Sequence, residues 1–247
     1  MRLEADTWLA GIFERPVFKV LLQADETPSP DEYRARLAEC VRDQPSFLYA
    51  RIPTAQPEHV RTLTRSGFDV VDVAVTFDRS LSAVTTREQR DDSIRVREAR
   101  PADFDATLAV AERCFTYSRF HLDQRVPRSV ANRIKREWID SYCRGRRGER
   151  LIIAETNGTI SGFLAVLRAT VGQKKASVID LIGVDARFQR RGIGERLVKE
   201  FITSASGVDV LRVGTQAANI PSMRLYQKSG FLVAETAYVL HAHIGGS

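Results

Sequence analysis

A strand, a glycine-rich turn and a helix follow one another without a gap in the last third of the chain. The apolar run 178–184 reads as the strand, and Gln189-Arg-Arg-Gly-Ile-Gly194 forms the turn. Directly after it, Ile193, Leu197 and Phe201 fall on one face of an amphipathic helix. This order places the start of a helix directly after a turn that contains two glycines.

The turn has the features of a phosphate-binding site. Gly192 and Gly194 put no side chain between a ligand and the backbone. The first helical turn leaves N–H groups unpaired, and the helix dipole favours an anion there. Arg190 and Arg191 add positive charge. The turn lacks the Gly-Lys-Ser/Thr of triphosphate loops and the dinucleotide fingerprint Gly-x-Gly-x-x-Gly. On these residues alone, a surface helix after an arginine-rich turn is an equal alternative.

A second strand–helix–strand unit follows. Leu211-Arg-Val-Gly-Thr-Gln216 reads as a strand, and Asn219-Ile-Pro-Ser222 as a helix start with Asn as the cap and Pro in the first turn. Gly230 is placed to end this short helix. Phe231 then enters a last strand that runs through Leu240.

Together the two units resemble the acetyl-CoA site of the GNAT acetyltransferase superfamily. The resemblance is carried by Gln189-x-x-Gly-x-Gly194 and by Asn219-x-Pro-Ser-x-x-x-Tyr226-x-x-x-Gly230-Phe231, in the right order and at the right separation. It implies an α/β (α+β) GNAT fold, with a mixed, mostly antiparallel central sheet flanked by helices. It also implies an acetyl-CoA-dependent N-acyltransferase.

The resemblance assigns roles along both units. The strand edge 181–184 would hydrogen-bond the pantetheine arm and polarise the thioester, the turn 189–194 would hold the pyrophosphate, and Asn219 would bind the CoA arm from the other side. Tyr226 would protonate the leaving thiolate, although a tyrosine on a short helix, taken alone, is more often a packed aromatic. The implied cofactor residues are Leu181, Ile182, Gly183, Val184, Gln189, Arg190, Arg191, Gly192, Ile193, Gly194, Asn219, Ser222 and Tyr226.

The general base is left open. Asp180 is the one ionisable side chain in the central strand, where a charged group needs a partner or a purpose. It either accepts the proton of the acceptor amine, directly or through water, or points outward and pairs with an arginine. His121 is a weaker candidate, because a loop histidine is usually solvated.

The chain divides into two unequal units. We predict a partial GNAT-like domain at 1–80, a polar linker at 81–93 and a complete GNAT domain at 94–247. Leu48-Tyr-Ala50 with Ser66-Gly-Phe68 stands 163 residues ahead of Leu211-Arg-Val213 with Ser229-Gly-Phe231. In this register Leu63 replaces Tyr226, and the front copy lacks a Gly-x-Gly turn, so we expect it to bind no CoA. Chance similarity is the alternative.

Composition narrows the function classes. The start of the chain lacks the apolar core of a signal peptide, and no apolar run approaches the ~18 residues of a membrane span, which together predict a cytoplasmic protein without a membrane partner. The three cysteines have no metal-ligand spacing, so we expect no metal. The net charge of +6 suits polyanions, and nucleic acid is one candidate. The basic residues are spread along the whole chain, however, and a phosphorylated cofactor and substrate account for the charge equally well, so we expect no nucleic-acid partner.

The acceptor is predicted from a further resemblance. Ser118-Arg-Phe120, the Trp138-Ile139 helix and Thr236-Ala-Tyr238 are similar to segments of the bacterial dTDP-fucosamine acetyltransferases. That family implies a nucleotide-linked amino-deoxysugar acceptor for surface-glycan synthesis. This chain departs from it in carrying the segment 184–189, most of which is missing there, and an acid at Asp180. The acid puts the family's water route for the amine proton in doubt.

Arg119 is the first choice for an acceptor contact, because it lies in a predicted loop between two helices that commonly borders the acceptor cleft of GNAT folds. Phe120 would cover an apolar sugar face, and Gln216 and Tyr238 are weaker candidates. A GNAT acting on a peptide, a protein N-terminus or another small amine, and a non-catalytic CoA-binding or nucleic-acid-binding module, are the alternatives. A homodimer is one of the oligomeric states left open.

Overall fold

The structure is a computed structural model that describes residues 1–22, 29–41, 44–81 and 93–245. Within these ranges the chain forms ten strands and eight α-helices. The predicted linker at 81–93 lies almost wholly outside the described residues.

The elements alternate along most of the chain. The strands are β1 (Arg2–Ala5), β2 (Val17–Leu21), β3 (Ser46–Pro53), β4 (Asp69–Ser80), β5 (Ile94–Glu98), β6 (Arg150–Thr156), β7 (Thr159–Val171), β8 (Lys174–Val184), β9 (Val210–Gln216) and β10 (Leu232–Ile244). The helices are α1 (Thr7–Phe13), α2 (Pro30–Val41), α3 (Pro57–Arg65), α4 (Phe104–Arg113), α5 (Arg119–Leu122), α6 (Arg128–Cys143), α7 (Ile193–Ser204) and α8 (Ile220–Lys228).

All ten strands join one sheet in the order β1-β2-β3-β10-β4-β9-β8-β7-β6-β5. The β2–β3 and β8–β9 pairs are parallel, and the other neighbours are antiparallel. This confirms the predicted α/β fold with a mixed, mostly antiparallel sheet. The hairpin between β6 and β7 turns at Asn157 and Gly158, which both have positive φ, 50° and 75°, as a two-residue turn of this kind requires.

The front and back parts of the chain exchange strands. β10 lies between β3 and β4, and β4 in turn lies between β10 and β9. The last strand of each part therefore pairs with strands of the other part: β10 pairs with β3 and β4, and β4 pairs with β10 and β9. The division at 81–93 stays a prediction about sequence units, whereas in the sheet the two units are continuous.

The two exchanged ladders have the same register. Helix α8 begins and ends 163 residues after α3, the separation of Pro57 from Ile220. Residue 237 lies 163 positions after Ala74, and residue 53 lies 163 positions before Gln216. The pair Ala74↔Gln216 of β4–β9 therefore corresponds to the pair Ala237↔Pro53 of β10–β3. The sequence echo thus corresponds to an approximate internal symmetry of the sheet.

Helices cover both sheet faces. On one face α7 and α8 pack with Phe77, Leu211 and Phe231, and α2 and α3 pack with Leu48 and Leu240 further along the same sheet. On the opposite face α4 and α6 pack over β6 and β7, while α1 and α5 cover the start of β3. Among the described residues, no helix has the length and hydrophobicity needed to cross a membrane.

One local prediction is wrong. Residues 118–121 were expected to form a loop, but α5 makes a single helical turn there, with the N–H groups of His121 and Leu122 donating to the Ser118 carbonyl. The turn forms because Phe120 is buried, with 2% of its surface exposed, among Phe47 and Val126. Tertiary burial therefore decides the local conformation.

The strand exchange predicts that front and back unfold together. Leu240 is fully buried on β10, yet it packs in the front cluster with Leu48 and Leu63. We expect Leu240→Ala to lower the free energy of unfolding by ~2–5 kcal/mol in one cooperative transition, measured by urea denaturation. Leu232→Ala on the same strand, where the side chain is 76% exposed, is the matched control and should cost less than about 0.5 kcal/mol. Two separate transitions would contradict the interdependence of the two parts.

Candidate active site

A cleft opens where β8 separates from β9. The two parallel strands pair only from Ala176↔Val210 to Ile179↔Val213, and β9 then continues beside β4 as far as Gln216. Beyond this point, β8 has no strand partner on its β9 side among the described residues. Backbone N–H and C=O groups of residues 181–184 on that edge are available to a ligand.

A β-bulge marks the start of the free edge. Ala165 pairs with Leu181 and Val166 with Ile179, so Asp180 is the extra residue on β8. A bulge bends the strand, redirects its side chains and disrupts regular ladder pairing, and bulges are frequent next to active sites. The irregularity thus falls at the position where the strands part.

The turn after β8 exposes its backbone. Gly192 caps α7 with φ = 78°, and a side chain at this position would meet no atom within 4 Å. Arg190 also has a positive φ of 63°, which is uncommon for a residue with a side chain. The space around Gly194 is smaller, because a methyl group added there would lie 3.2 Å from Cδ2 of Leu225 on α8. The loop therefore has room for a ligand at Gly192 and close helix packing at Gly194.

A buried carboxylate that the sequence reasoning missed anchors this turn. Asp185 is 1% exposed and accepts hydrogen bonds from the backbone N–H of Arg187 at 3.0 Å and from the guanidinium groups of Arg187 and Arg113. The Arg187 hydrogen bonds, assisted by Arg113, hold the pKa of Asp185 well below its usual range. The ion pairs fix the turn and leave positive charge around it. The sequence feature that could have identified Asp185 is its position as an acidic residue directly after the apolar strand.

Tyr226 lies on α8, facing the sheet. It is 2% exposed and packs against Phe77 and Phe231, with ring centroids 5.9 and 6.2 Å away. Burial raises the pKa of the phenol, so it remains protonated at neutral pH. Tyr226 is thus both a packed aromatic and a protonated donor. Asn219 caps α8 as predicted, accepting from the Ser222 N–H at 3.3 Å.

Asp180 is held by four hydrogen bonds. It accepts from Trp138 Nε1 at 2.7 Å, from the Tyr142 hydroxyl at 2.8 Å and from Arg147 at 2.6 and 3.0 Å. This geometry matches the alternative in which Asp180 pairs with an arginine. A carboxylate with its lone pairs engaged by four donors is poorly placed to accept a proton. The assignment of Asp180 as the base stays a prediction, and its contacts count against it.

A second cleft, of about 860 Å³, lies between the front and back parts on the α5–α6 face of the sheet. The front contributes α1 and β3, and the back contributes α5, α6 and the turn after α6. Its walls combine aromatic and charged side chains, including Asp6, Trp8, Tyr49, Arg119, Glu137, Trp138, Arg146 and Arg147. Trp8 and Trp138 meet edge to face with ring centroids 5.6 Å apart. Trp8 and Tyr49 went unnoticed in the sequence because no local motif surrounds them.

Arg119 lines this cleft and is only partly exposed. Its guanidinium carbon lies 4.0 Å from the Tyr49 ring centroid and 4.3 Å from that of Phe120. The Tyr49 hydroxyl donates to Asp6 at 2.9 Å, so a strand and a turn of the front part help to position a back-part arginine. Arg119 is therefore an ordered side chain of the cleft wall.

The other predicted acceptor residues are not all brought together. Phe120 lines the cleft but is almost wholly buried. Gln216 ends β9 and pairs with Ala74. Tyr238 packs with the front cluster around Leu240, whereas His241 on the same strand contacts Phe120. Since strand residues alternate between faces, Tyr238 lies on the sheet face opposite Arg119.

A buried network supports α5. Asp123, just after this helix, accepts hydrogen bonds from His241 Nδ1 at 2.7 Å and from His243 Nε2 at 2.8 Å, and burial lowers the pKa of His241 to about 4. His241 Nε2 lies 3.5 Å from the Arg119 guanidinium. β10 thus holds the helix that carries Arg119. Within the described residues, no group of histidines, cysteines and acids is arranged to bind a metal ion.

Known proteins are similar to this chain over most of its length. It is 24% identical over 244 residues to the spore coat polysaccharide biosynthesis protein SpsD of Bacillus subtilis, covering 96% of this chain and 81% of that one. It is 27% identical over 202 residues to the dTDP-fucosamine acetyltransferase of Escherichia coli O6:H1, covering 79% and 81%. A solved tandem GNAT protein from the clavulanic acid biosynthesis pathway superposes with a TM-score of 0.58 at 13% identity, covering 94% and 77%, and so shares the fold.

A model of a protein family also matches this chain. Residues 106–231, just over half of the chain, match the acetyltransferase (GNAT) family, and they contain β8 with its free edge, the Gly192 turn and Tyr226. The chain therefore belongs to the acetyltransferase (GNAT) family of acyl-transfer enzymes.

Proposed function

We propose that the protein transfers an acetyl group from acetyl-CoA to the amino group of a nucleotide-linked amino-deoxysugar. The observation that carries the proposal is the position of the aromatic and basic cleft around Arg119. Trp138 and Arg147 line this cleft and also bind Asp180, the bulged residue at the free edge of β8. The acceptor cleft therefore adjoins the strand edge where the thioester would lie.

The cofactor would occupy the opening between β8 and β9. The free edge 181–184 offers backbone groups to the pantetheine arm. The turn 189–194, with the open backbone at Gly192 and the start of α7, offers N–H groups and arginines to the pyrophosphate. Asn219 and Ser222 at the start of α8 would bind the CoA arm from the other side.

The chain's own groups divide the acyl-transfer chemistry. A backbone N–H at the bulged edge of β8 would stabilise the oxyanion that forms when the amine attacks the thioester carbonyl. Tyr226, kept protonated by burial, would give its proton to the departing thiolate. The two clefts would bring donor and acceptor together at the bulge.

The acceptor class is supported by the cleft and by the relatives. Two relatives aligned over most of their length are named for spore coat polysaccharide biosynthesis and for dTDP-fucosamine acetylation. Arginines suit a diphosphate, and tryptophan and tyrosine rings suit a sugar face or a base. A basic peptide is the less suitable acceptor, because Arg119, Arg146 and Arg147 line the same cleft.

The front part would bind no CoA and would have a structural role. In the position equivalent to Tyr226, Leu63 is fully buried in the front cluster. The segment before β3 has no strand–glycine turn–helix unit like that of β8 and α7 within the described residues. Instead, the front part supplies Trp8 and Tyr49 to the acceptor cleft.

Binding of the cofactor is tested by Gly192→Glu. The substitution puts bulk and negative charge where the pyrophosphate would lie, so we expect it to abolish the rise in melting temperature that acetyl-CoA causes. Gly172→Glu is the matched control, because Gly172 also has positive φ and open space around its Cα. If CoA affinity in calorimetry is the same for both variants, the turn does not bind the pyrophosphate.

The role of Tyr226 is tested by removal of its hydroxyl. We expect Tyr226→Phe to reduce kcat by ~10²- to 10⁴-fold with little change in acetyl-CoA binding, as for a lost general acid. The ring packing against Phe77 is retained, so stability should change little. Tyr238→Phe is the control, since that ring lies on the front cluster. A Tyr226→Phe enzyme with full kcat would refute the assignment.

The acceptor is tested by a turnover screen with acetyl-CoA against amino-sugar nucleotides, free amines and basic peptides. We expect amino-sugar nucleotides to be acetylated fastest. Arg119→Ala should then raise KM for the sugar nucleotide at least about tenfold, or ~1.4 kcal/mol, with KM for acetyl-CoA unchanged. Arg95→Ala, at an exposed position of β5, is the control. An enzyme that acetylates only peptides or simple amines would have a different acceptor class.

A further inference from the structure

Lys135 is a buried lysine on the sheet-facing side of α6. Only 7% of its surface is exposed, and its Nζ lies 5.0 Å from the Trp138 ring centroid and 5.1 Å from that of Phe115. In the part of the chain that the structure describes, its ammonium group forms no hydrogen bond or ion pair within contact distance. A charged group buried without such a partner destabilises a folded protein, so this one needs a purpose.

The surroundings of Lys135 lead directly to the acyl-transfer centre. Trp138, which contacts Lys135, donates to Asp180 at the bulge of β8. Cys114, next to Phe115, lies against β8, because a methyl group added at Gly183 would come within 2.5 Å of its sulfur. The Nζ is therefore bordered by Trp138, which binds one end of the 180–183 segment, and by Phe115, whose neighbour Cys114 lies against the other end. The thioester carbonyl would bind at this segment.

Four titratable or charged groups on three neighbouring elements interact electrostatically with Lys135. Arg119 and His121 lie on α5, Cys114 follows α4, and Asp180 is on β8. Burial, followed by the positive charge of Arg119, lowers the pKa of Lys135 to about 8, although Asp180 acts in the opposite direction. About one tenth of the Lys135 side chains are then neutral at pH 7, far more than for a surface lysine with a pKa of about 10.4.

We propose that the neutral Nζ of Lys135 is the general base that takes the proton from the acceptor amine, directly or through one water. This inference rests on the proposed N-acetyl transfer. The amine nitrogen forms a bond to the thioester carbon, the C–S bond breaks, and the thiolate takes the proton of Tyr226. Lys135 takes the proton that the nitrogen loses, and both side chains then re-equilibrate with solvent.

Asp180 has a positioning role in this scheme. Its four hydrogen bonds hold Trp138, Tyr142 and Arg147 around the bulge. Arg147 stacks on the same Trp138 ring that borders Lys135, with its guanidinium carbon 4.7 Å from the centroid. The carboxylate therefore orients the wall beside the base and contributes no proton transfer of its own.

The test compares Lys135→Arg with Lys135→Met, using acetyl-CoA and the amine that the wild-type chain acetylates fastest in the screen. Arginine retains the charge and the aromatic contacts but cannot act as a base, since it stays protonated. We expect both variants to lose ~10²- to 10⁴-fold in kcat with unchanged KM for acetyl-CoA. Lys174→Met, at an exposed position at the start of β8, should keep wild-type kcat.

A second measurement needs no substitution. The kcat of the wild-type enzyme should rise with pH and level off above an apparent pKa near 8, as expected for a base that must be deprotonated. A flat profile between about pH 6 and 9, or a Lys135→Arg variant with more than half of wild-type kcat, would overturn the assignment and leave the proposed function intact. If the wild-type chain acetylates no amine, the proposed function fails and the role of Lys135 fails with it.

Discussion

The four hydrogen bonds to Asp180 connect the parts of this molecule that the chemistry needs. They tie α6 and the turn after it to the bulge of β8, at the point where β8 parts from β9. A carboxylate buried in a strand without donors would be costly, so these contacts stabilise the bulge as well as the cleft wall. The free strand edge, which would hold a thioester, and the aromatic wall, which would hold an acceptor, are therefore set by one ionic cluster.

Strand exchange has a comparable effect on a larger scale. Because β10 lies between β3 and β4, and β4 lies between β10 and β9, the front part cannot separate from the back part without breaking three ladders. Tyr49 of β3 is thereby held under Arg119 of α5, and Trp8 of α1 against Trp138 of α6. A part of the chain that lacks its own glycine-rich turn thus serves as one wall of the acceptor cleft.

Burial acts in opposite directions on the two groups proposed to move protons. It raises the pKa of the Tyr226 phenol and lowers that of the Lys135 ammonium, because in each case it disfavours the charged form. Both groups are therefore driven toward neutrality by the same cause. A neutral phenol can donate a proton and a neutral amine can accept one, which is the division of work that acyl transfer to an amine requires.

Short-range patterns were enough to predict β8, the Gly192 turn, α7, the capped helix α8 and the family, since each depends on neighbours within a few residues. The gap-free echo between the two parts likewise anticipated the matching registers of the exchanged ladders. Contacts between distant segments decide the rest. They pair Asp180 with Arg147, bury Phe120 so that a helical turn forms at Arg119–Leu122, and place Lys135 beside the Phe115 ring. Such contacts have no local signal, because burial and the choice of partner are decided only when the sheet and its helices pack together.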